Sequence, residues 1–502
     1  MKRMLPLLLA ILCLAGCTPA PAEPAPSPSP SPSAAPVQVL QREFALPCYA
    51  AGGFHPITGE NKTNLMLMPL LYQGLFALDE HFEPQPVLAS GQQMSPDGLS
   101  WTFPLAPADF AVGVPLTAAD VVYSLNLART APLYQERLAG ISAVKAVEAG
   151  VMVTLNRPNG NLPALLDIPI LREAADSPAP LGTGDYALEL TDGDYALVQK
   201  PERASGTLPR RIPLYAVQGA DGLIHAFDTG LVSLVTADLT GTNALGYSGN
   251  YEAWDYPTTI MLYIGYNSKA GPCKDPAVRK ALSYGYERQA VAKSLLAQHA
   301  TAAALPVPPE SGLYDETLAK TLDYAPQTMT DLLAAAGWKA KDGVLQSGRQ
   351  HLKLRFLVNT DNSYKLAVAD YLAAALTRSG IEVDLQKLAW EDYHKALAEG
   401  DFDLFLGQTR LTADFDPGAL VEEGGSLNFG GYADPETGAA LAAFRAATGQ
   451  ERIAAASALY GRLAETAPLT PLCFGRHAAL THWGSMTGLT PTQQNVFYRG
   501  AD

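Results

Sequence analysis

Between Leu352 and Arg410 the chain alternates strand and helix, and no other stretch restricts its architecture as strongly. Leu352–Val358 has strand character, and Lys365–Arg378 repeats its apolar residues at helical spacing before Gly380 ends the pattern. Ile381–Leu388 is a second strand, Trp390–Glu399 a second helix and Phe402–Leu406 a third strand. A helix between two strands returns the chain to the starting end of the sheet, so such strands lie parallel. The fold class is therefore α/β. Open parallel sheets bind ligands beyond the carboxyl ends of their strands, which directs attention to the loop after Leu406.

Thr117 with Asp120 three residues on has the form of a capping box, and Val121, Val122, Leu125 and Ala128 then share a helical face. Asp275-Pro276 is an N-cap followed by proline at the first helical position, predicting a helix that runs towards Ala297. Val151–Leu155, Tyr186–Leu190 and Thr259–Tyr266 read as strands, so mixed sheets accompany the parallel one.

The start of the chain indicates where it works. Lys2 and Arg3 precede the apolar stretch Leu5–Leu14, which is too short to span a bilayer, and Ala15 and Gly16 follow. Residues 1–16 have the organisation of an export signal. Leu14-Ala15-Gly16-Cys17 resembles a bacterial lipobox, which implies acylation of Cys17. The Pro, Ser and Ala residues up to Pro36 form no core, and in polyproline II geometry residues 17–36 make a spacer of roughly 60 Å. The expected location is extracytoplasmic, lipid-anchored to the outer face of the bacterial cytoplasmic membrane.

Over all 502 residues, 50 acidic against 35 basic side chains give a net charge of -15. That balance excludes strong nucleic-acid binding, which needs a basic surface to displace counterions. Cys48, Cys273 and Cys473 match no zinc spacing, and they leave open either buried free thiols or one disulfide. The 8 histidines are scattered without a His-Glu-x-x-His pair. Ser142 and Lys145 match Ser-x-x-Lys but lack its partner motifs, and no Gly-x-Ser-x-Gly elbow or nucleotide-binding glycine loop is present. No enzyme, cofactor or metal site is expected.

Four ordered stretches together resemble the bacterial extracellular solute-binding proteins of family 5, the dipeptide and oligopeptide receptors of ABC importers. The first contains Leu71-Tyr72-Gln73-Gly74-Leu75-Phe76, Trp101-Thr102-Phe103 and Gly113 to Val121. The second is Leu181-Gly182-Thr183-Gly184-Asp185-Tyr186, and the third Tyr266-Asn267 followed by Asp275 to Leu282. The fourth combines Ser379 to Val383, Gly400 to Leu404, Asp416-Pro417 and Pro468 to Leu472. The chain departs from the family at Gln408 to Leu411, where an aromatic residue is usual, and at Leu105-Ala106-Pro107, where a basic one is.

The resemblance implies a type II two-lobe clamp, as in periplasmic binding proteins, with hinge strands near Leu262–Tyr266 and Pro468–Cys473. Lobe I would comprise residues 37–59, 180–258 and 473–502, with 60–179 as its extra subdomain, and lobe II residues 259–472. It further implies a small-molecule or short-peptide ligand, ABC permease and ATPase subunits as partners, and a monomer. Relatives of this fold also take nickel complexes, oligosaccharides and haem. By family position Asp414, with Asp416 as its rival, would grip a ligand α-ammonium, and Trp390 would line a side-chain pocket. Arg410 would meet a carboxylate, Glu60, Asn61, Lys62 and Thr63 would offer a backbone edge for strand-like pairing, and Tyr134 completes the candidate ligand-binding set. Cys17→Ser is expected to abolish acylation, leaving unprocessed or shed protein in cell fractionation; fully processed, membrane-bound mutant protein would refute the lipobox.

Overall fold

Seven strands make the largest sheet: β1 (Leu234–Ala237), β2 (Tyr251–Tyr266), β3 (Ala300–Ala302), β4 (Lys353–Asn359), β5 (Glu382–Leu388), β6 (Leu404–Arg410) and β7 (Leu469–His482). Their order is β1-β7-β2-β6-β4-β5, with β3 also on β7. The computed structural model describes residues 43–498 apart from 112, 175–178 and 202–207. The predicted export signal, Cys17 and the spacer to Pro36 lie outside the described residues.

β4 pairs in parallel with both β5 and β6, and the helices α1 (Ser363–Arg378) and α2 (Trp390–Glu399) make the connections, as the alternation predicts. The third strand is displaced from its predicted Phe402–Leu406. Asn267 Nδ2 donates to the carbonyls of Gly400 and Phe402, both at 3.0 Å, which holds that segment as a turn. Pairing with β2 then continues as far as Ile260 and Arg410. The helix capped by Asp275 forms, but it ends at Ser283 instead of running to Ala297. At Gly285 a Cβ would stand 2.5 Å from Met329 Sδ, so the chain turns where two segments pack too closely for a side chain.

β2 and β7 are antiparallel and change register midway. Tyr251–Pro257 pairs with Arg476–His482, whereas Met261–Gly265 pairs with Leu469–Phe474. Pro257 has no N–H for the ladder and stands at the break. Side chains replace the missing bonds there: Thr258 Oγ1 donates to the Gly475 carbonyl (2.6 Å), and Gln493 Oε1 accepts from the Thr259 amide (2.7 Å). β1 joins only the Ala478–Thr481 end of β7, and β6 joins only the Ile260–Tyr266 end of β2.

Each side of the break has its own core. The first half buries Phe54, Trp101, Phe103, Val121 and Leu197 among its smaller sheets, and Phe227 forms a further cluster with Val235 of β1 and Leu480 of β7. The second half packs both faces of its sheet, Phe356, Leu372 and Leu376 on one and Tyr263, Phe405, Phe444 and Tyr460 on the other. Between β2 and β6, Tyr263 faces Gly407 and Phe405 faces Gly265, and the two rings meet edge to face at 5.8 Å. A Cβ on Gly407 would fall 2.6 Å from the Tyr263 ring. Gly407→Ala is expected to cost about 1–3 kcal/mol, seen as a lower urea midpoint, because the ring has no free volume to move into.

In the first half the helix Ala118–Ala128 begins at the predicted capping box, with the Thr117 amide donating to Asp120 (2.8 Å). Burial alone would raise the Asp120 pKa, but bonds from Arg172 and Thr117 hold it below its usual value. In the second half Arg462, donating twice at 2.9 Å, sets Asp434 well below the carboxylate range. A depressed carboxylate contributes stability that is complete above its unfolded pKa of about 4 and is lost as pH falls through the folded value. Urea midpoints should therefore stay level from pH 7 to about 5 and fall below about pH 4, and a midpoint that rises on acidification would contradict these pairings.

Candidate functional site

The chain leaves β4 for β5 on one side, then crosses to β6 on the other, so a crevice opens at the carboxyl end of β4. Three segments gather there: the start of α1 after β4, the start of α2 after β5, and Leu411–Pro417 after β6.

Asn362 caps α1 by accepting from the Lys365 amide (3.0 Å). It is buried, and its Nδ2 donates 2.8 Å to the carbonyl of Thr240, which follows β1 in the first half. These residues line a cavity of about 40 Å³ with Asp238, Tyr364, Lys365, Gln408, Cys473 and Gly475. That space admits a water-sized group and is far too small for a peptide. Burial lowers the basicity of Lys365, opposed by Asp361 and Asp238. His477 Nε2 stands 3.5 Å from Asp238 Oδ2. Burial would raise Asp238, but His477 and Thr240 hold it below its usual value.

The loop after β6 carries the two candidate acids, and the structure separates them. Asp414 is buried, with Oδ2 accepting from Asn159 Nδ2 of the first half (2.7 Å) and Oδ1 accepting from the Thr412 hydroxyl. Asp416 is instead bound by Arg445 through Nε (2.6 Å) and Nη2 (3.0 Å). Arg445 also bonds Glu422 at 2.6 and 2.8 Å. With both oxygens on one guanidinium, Asp416 is a structural ion pair. Arg410 is the last residue of β6 and exposed, and Trp390 is 53% exposed at the start of α2, beside Tyr393 and His394. Tyr134 is half-buried, its hydroxyl donating a long 3.4 Å bond to the Pro56 carbonyl, and burial raises its pKa.

Of the expected backbone edge at Glu60 to Thr63, the first two residues are outside any helix and the last two are helical. Lys62–Leu65 is a helical turn capped by Asn61, whose side chain accepts from the Asn64 amide (3.1 Å), so the backbone from Lys62 onward curls away from strand pairing. Asp238, Asn362 and Lys365 were not among the sequence candidates. The rule that pointed to the loop after β6 applies equally to the loop after β4, and would have found the last two. Asn159 carries no local signal, since its partner is 255 residues away.

The three cysteines of the body are free and buried, which decides between the two alternatives. Burial pushes Cys48 up to about 11 and Cys473 to about 12, so neither is a ready nucleophile. Among the described residues no group of three or more His, Cys, Asp or Glu could hold a metal ion, and no helix is long and apolar enough to cross a membrane.

Residues 83–424 match the family model of bacterial extracellular solute-binding proteins, family 5, middle region. The chain is 28% identical over 350 residues to a putative ABC transporter peptide-binding protein of Brucella ovis, covering 60% of this chain and 64% of that protein. It is 29% identical over 292 residues to a glutathione-binding protein of Salmonella typhi, covering 53% and 56%. The matches thus span less than two thirds of either relative. Among solved structures, a nickel ABC transporter protein of Bacillus halodurans superposes with a TM-score of 0.73 at 19% identity, over 91% of this chain and 98% of that one. The fold is the two-lobed α/β architecture of type II periplasmic binding proteins.

Arg445→Met would leave Asp416, in a largely buried setting, with only the more distant Arg157 guanidinium at 3.7 Å. A loss of about 3 kcal/mol in urea unfolding is expected, and an unchanged midpoint would mean that Asp416 is not structural.

Proposed function

This chain belongs to the bacterial extracellular solute-binding proteins of family 5, and from that premise we propose that it is the substrate-binding component of an ABC-type importer. It closes two lobes on a short peptide and delivers it to the permease and ATPase subunits in the membrane. Its relatives are binding proteins and not enzymes. Acylation at Cys17 holds it to the membrane as a monomer, and the Pro-rich spacer gives the clamp reach.

The observation that carries this reading is the placement of Asp414. It is a buried carboxylate beyond the carboxyl end of a sheet strand, facing a donor from the opposite half of the molecule. A ligand ammonium held there is shielded from water, and its counter-charge acts at close range. Arg410 lies four residues back along the same segment and supplies a positive group for a carboxylate, while the exposed face of Trp390 and the Tyr134 hydroxyl offer contact surface. The lobe limits at residues 258/259 and 472/473 are supported by the register break of β2 and β7 beside them. Relatives that bind peptides and glutathione favour a peptide-like solute.

A panel of dipeptides, tripeptides, glutathione and a nickel–histidine complex tests the reading by thermal shift, since a ligand specific for the folded state raises the melting temperature. A peptide is expected to give the largest rise. Asp414→Asn should weaken that peptide by about ten- to a hundredfold in calorimetry, because an ammonium loses its buried counter-charge. Stabilisation by the nickel complex alone would overturn the peptide assignment, and unchanged affinity in Asp414→Asn would remove the ammonium grip.

A further inference from the structure

The bond that Asn159 makes to Asp414 belongs to a wider contact. Asn159 lies on the loop Arg157–Asn161 of the first half, and this loop touches the second half at three neighbouring points. Asn159 Nδ2 donates to Asp414 Oδ2 (2.7 Å), the Gly160 amide donates to the Arg445 carbonyl (2.6 Å), and the Arg157 guanidinium reaches Asp416 at 3.7 Å and Glu422 at 3.6 Å. At Gly160 a Cβ would lie 2.7 Å from the Ala447 carbonyl carbon, so only glycine lets the two backbones approach this closely. The loop is braced from behind. Trp101 Nε1 donates to the Asn159 carbonyl (3.1 Å), and Asn159 Oδ1 accepts from the Asn161 amide (2.9 Å). The Asn159 side chain is thereby oriented with its NH₂ towards Asp414. Phe82, also of the first half, packs edge to face on Phe415 at 5.5 Å.

An amide N–H and an ammonium N–H present the same donor to a carboxylate, and they differ in charge. Both Asp414 oxygens are engaged within the protein, one by Thr412 on its own loop and the other by Asn159 from across the seam. Only the second partner can be exchanged without unmaking the Thr412–Asp414 turn. We propose that the Arg157–Asn161 loop is a built-in competitor for the ligand's amine: Asn159 holds Asp414, and a peptide with a free α-ammonium binds by displacing it. This rests on the assignment of Asp414 as the ammonium site. A charged donor outcompetes a neutral one at a carboxylate, so free-amine ligands exchange with Asn159 and amine-blocked ones do not. The apparent affinity is reduced by the fraction of molecules in which Asn159 holds the site.

The test uses the full chain and two variants. Asn159→Ala removes the competitor. Asn159→Asp keeps the Oδ1 acceptor for Asn161 but sets a carboxylate against Asp414, so it breaks the same contact with the loop brace intact. Melting temperatures serve as the check that both variants fold. In the ligand-free state, hydrogen exchange at the Gly160 amide and across Thr412–Gly418 should be faster in both variants than in wild type. In calorimetry trialanine should bind Asn159→Ala roughly tenfold tighter than wild type, the size of one hydrogen bond to a charged group, and N-acetyl-trialanine should not discriminate between them. Unchanged exchange in both variants, or trialanine binding equally or more weakly to Asn159→Ala, overturns the proposal. Failure of trialanine to bind wild type or variant counts against the peptide reading instead, and the exchange rates then decide whether the loop is a latch.

Discussion

The antiparallel pairing of β2 with β7 is the constraint on which the rest of the molecule depends. These are the strands that pass through both halves of the large sheet, and their change of register at Pro257–Met261 divides it. Strands that keep their hydrogen bonds over most of their length but lose them over a few residues bend at that point more readily than anywhere else. Because β6 and β4 attach only beyond the break, a small rotation there moves the Leu411–Pro417 loop and the start of α1 as one body against Thr240 and Asn159.

Buried arginines fix β7 in the second half. Arg279 donates to the carbonyls of Thr466 and Ala467 just before β7 and to those of Cys273 and Lys274 on the neighbouring turn. Ala467 adopts a left-handed backbone (φ 42°), and the guanidinium at its carbonyl holds it there. Arg288 donates to the Pro471 carbonyl of β7 and to that of Leu322. Neither side chain has a carboxylate partner in these bonds, so carbonyl dipoles carry the charge and β7 enters the sheet at a fixed angle. The rigid parts of the clamp are built this way, and the exchangeable contacts collect at the seam.

What the sequence disclosed follows from the range of each interaction. The helix at Trp390–Glu399 and the caps at Thr117 and Asp275 depend on residues within four positions, and they appear where composition and spacing place them. The third parallel strand was misplaced because its limits are set by Asn267, far away in the chain, and by pairing with β2. Topology and resemblance pointed to the loop that carries Asp414 and Asp416, but that Asp416 is engaged by Arg445, 29 residues on, could only be seen in the folded molecule. Lys62 and Thr63 gave no sign of being helical because a four-residue turn capped by Asn61 leaves no periodicity long enough to recognise. Asn159 was invisible, since only the folded molecule brings it to its acid.

The chain order of the hinge strands also sets a schedule. β1 pairs with β7 alone, Leu234 opposite Thr481. Synthesis proceeds from the amino terminus at about 5–20 residues per second, so β1 waits for its partner for roughly ten seconds to a minute. Throughout that interval the second half can begin to assemble, but both of its cores wait for Leu469, Leu472, Cys473 and Phe474 of β7, while β1 and Tyr251–Pro257 remain open edges able to recruit any passing strand. The last long strand to be made thus completes both halves at once, and a nascent chain halted short of residue 469 leaves the sheet and both second-half cores open along the same line.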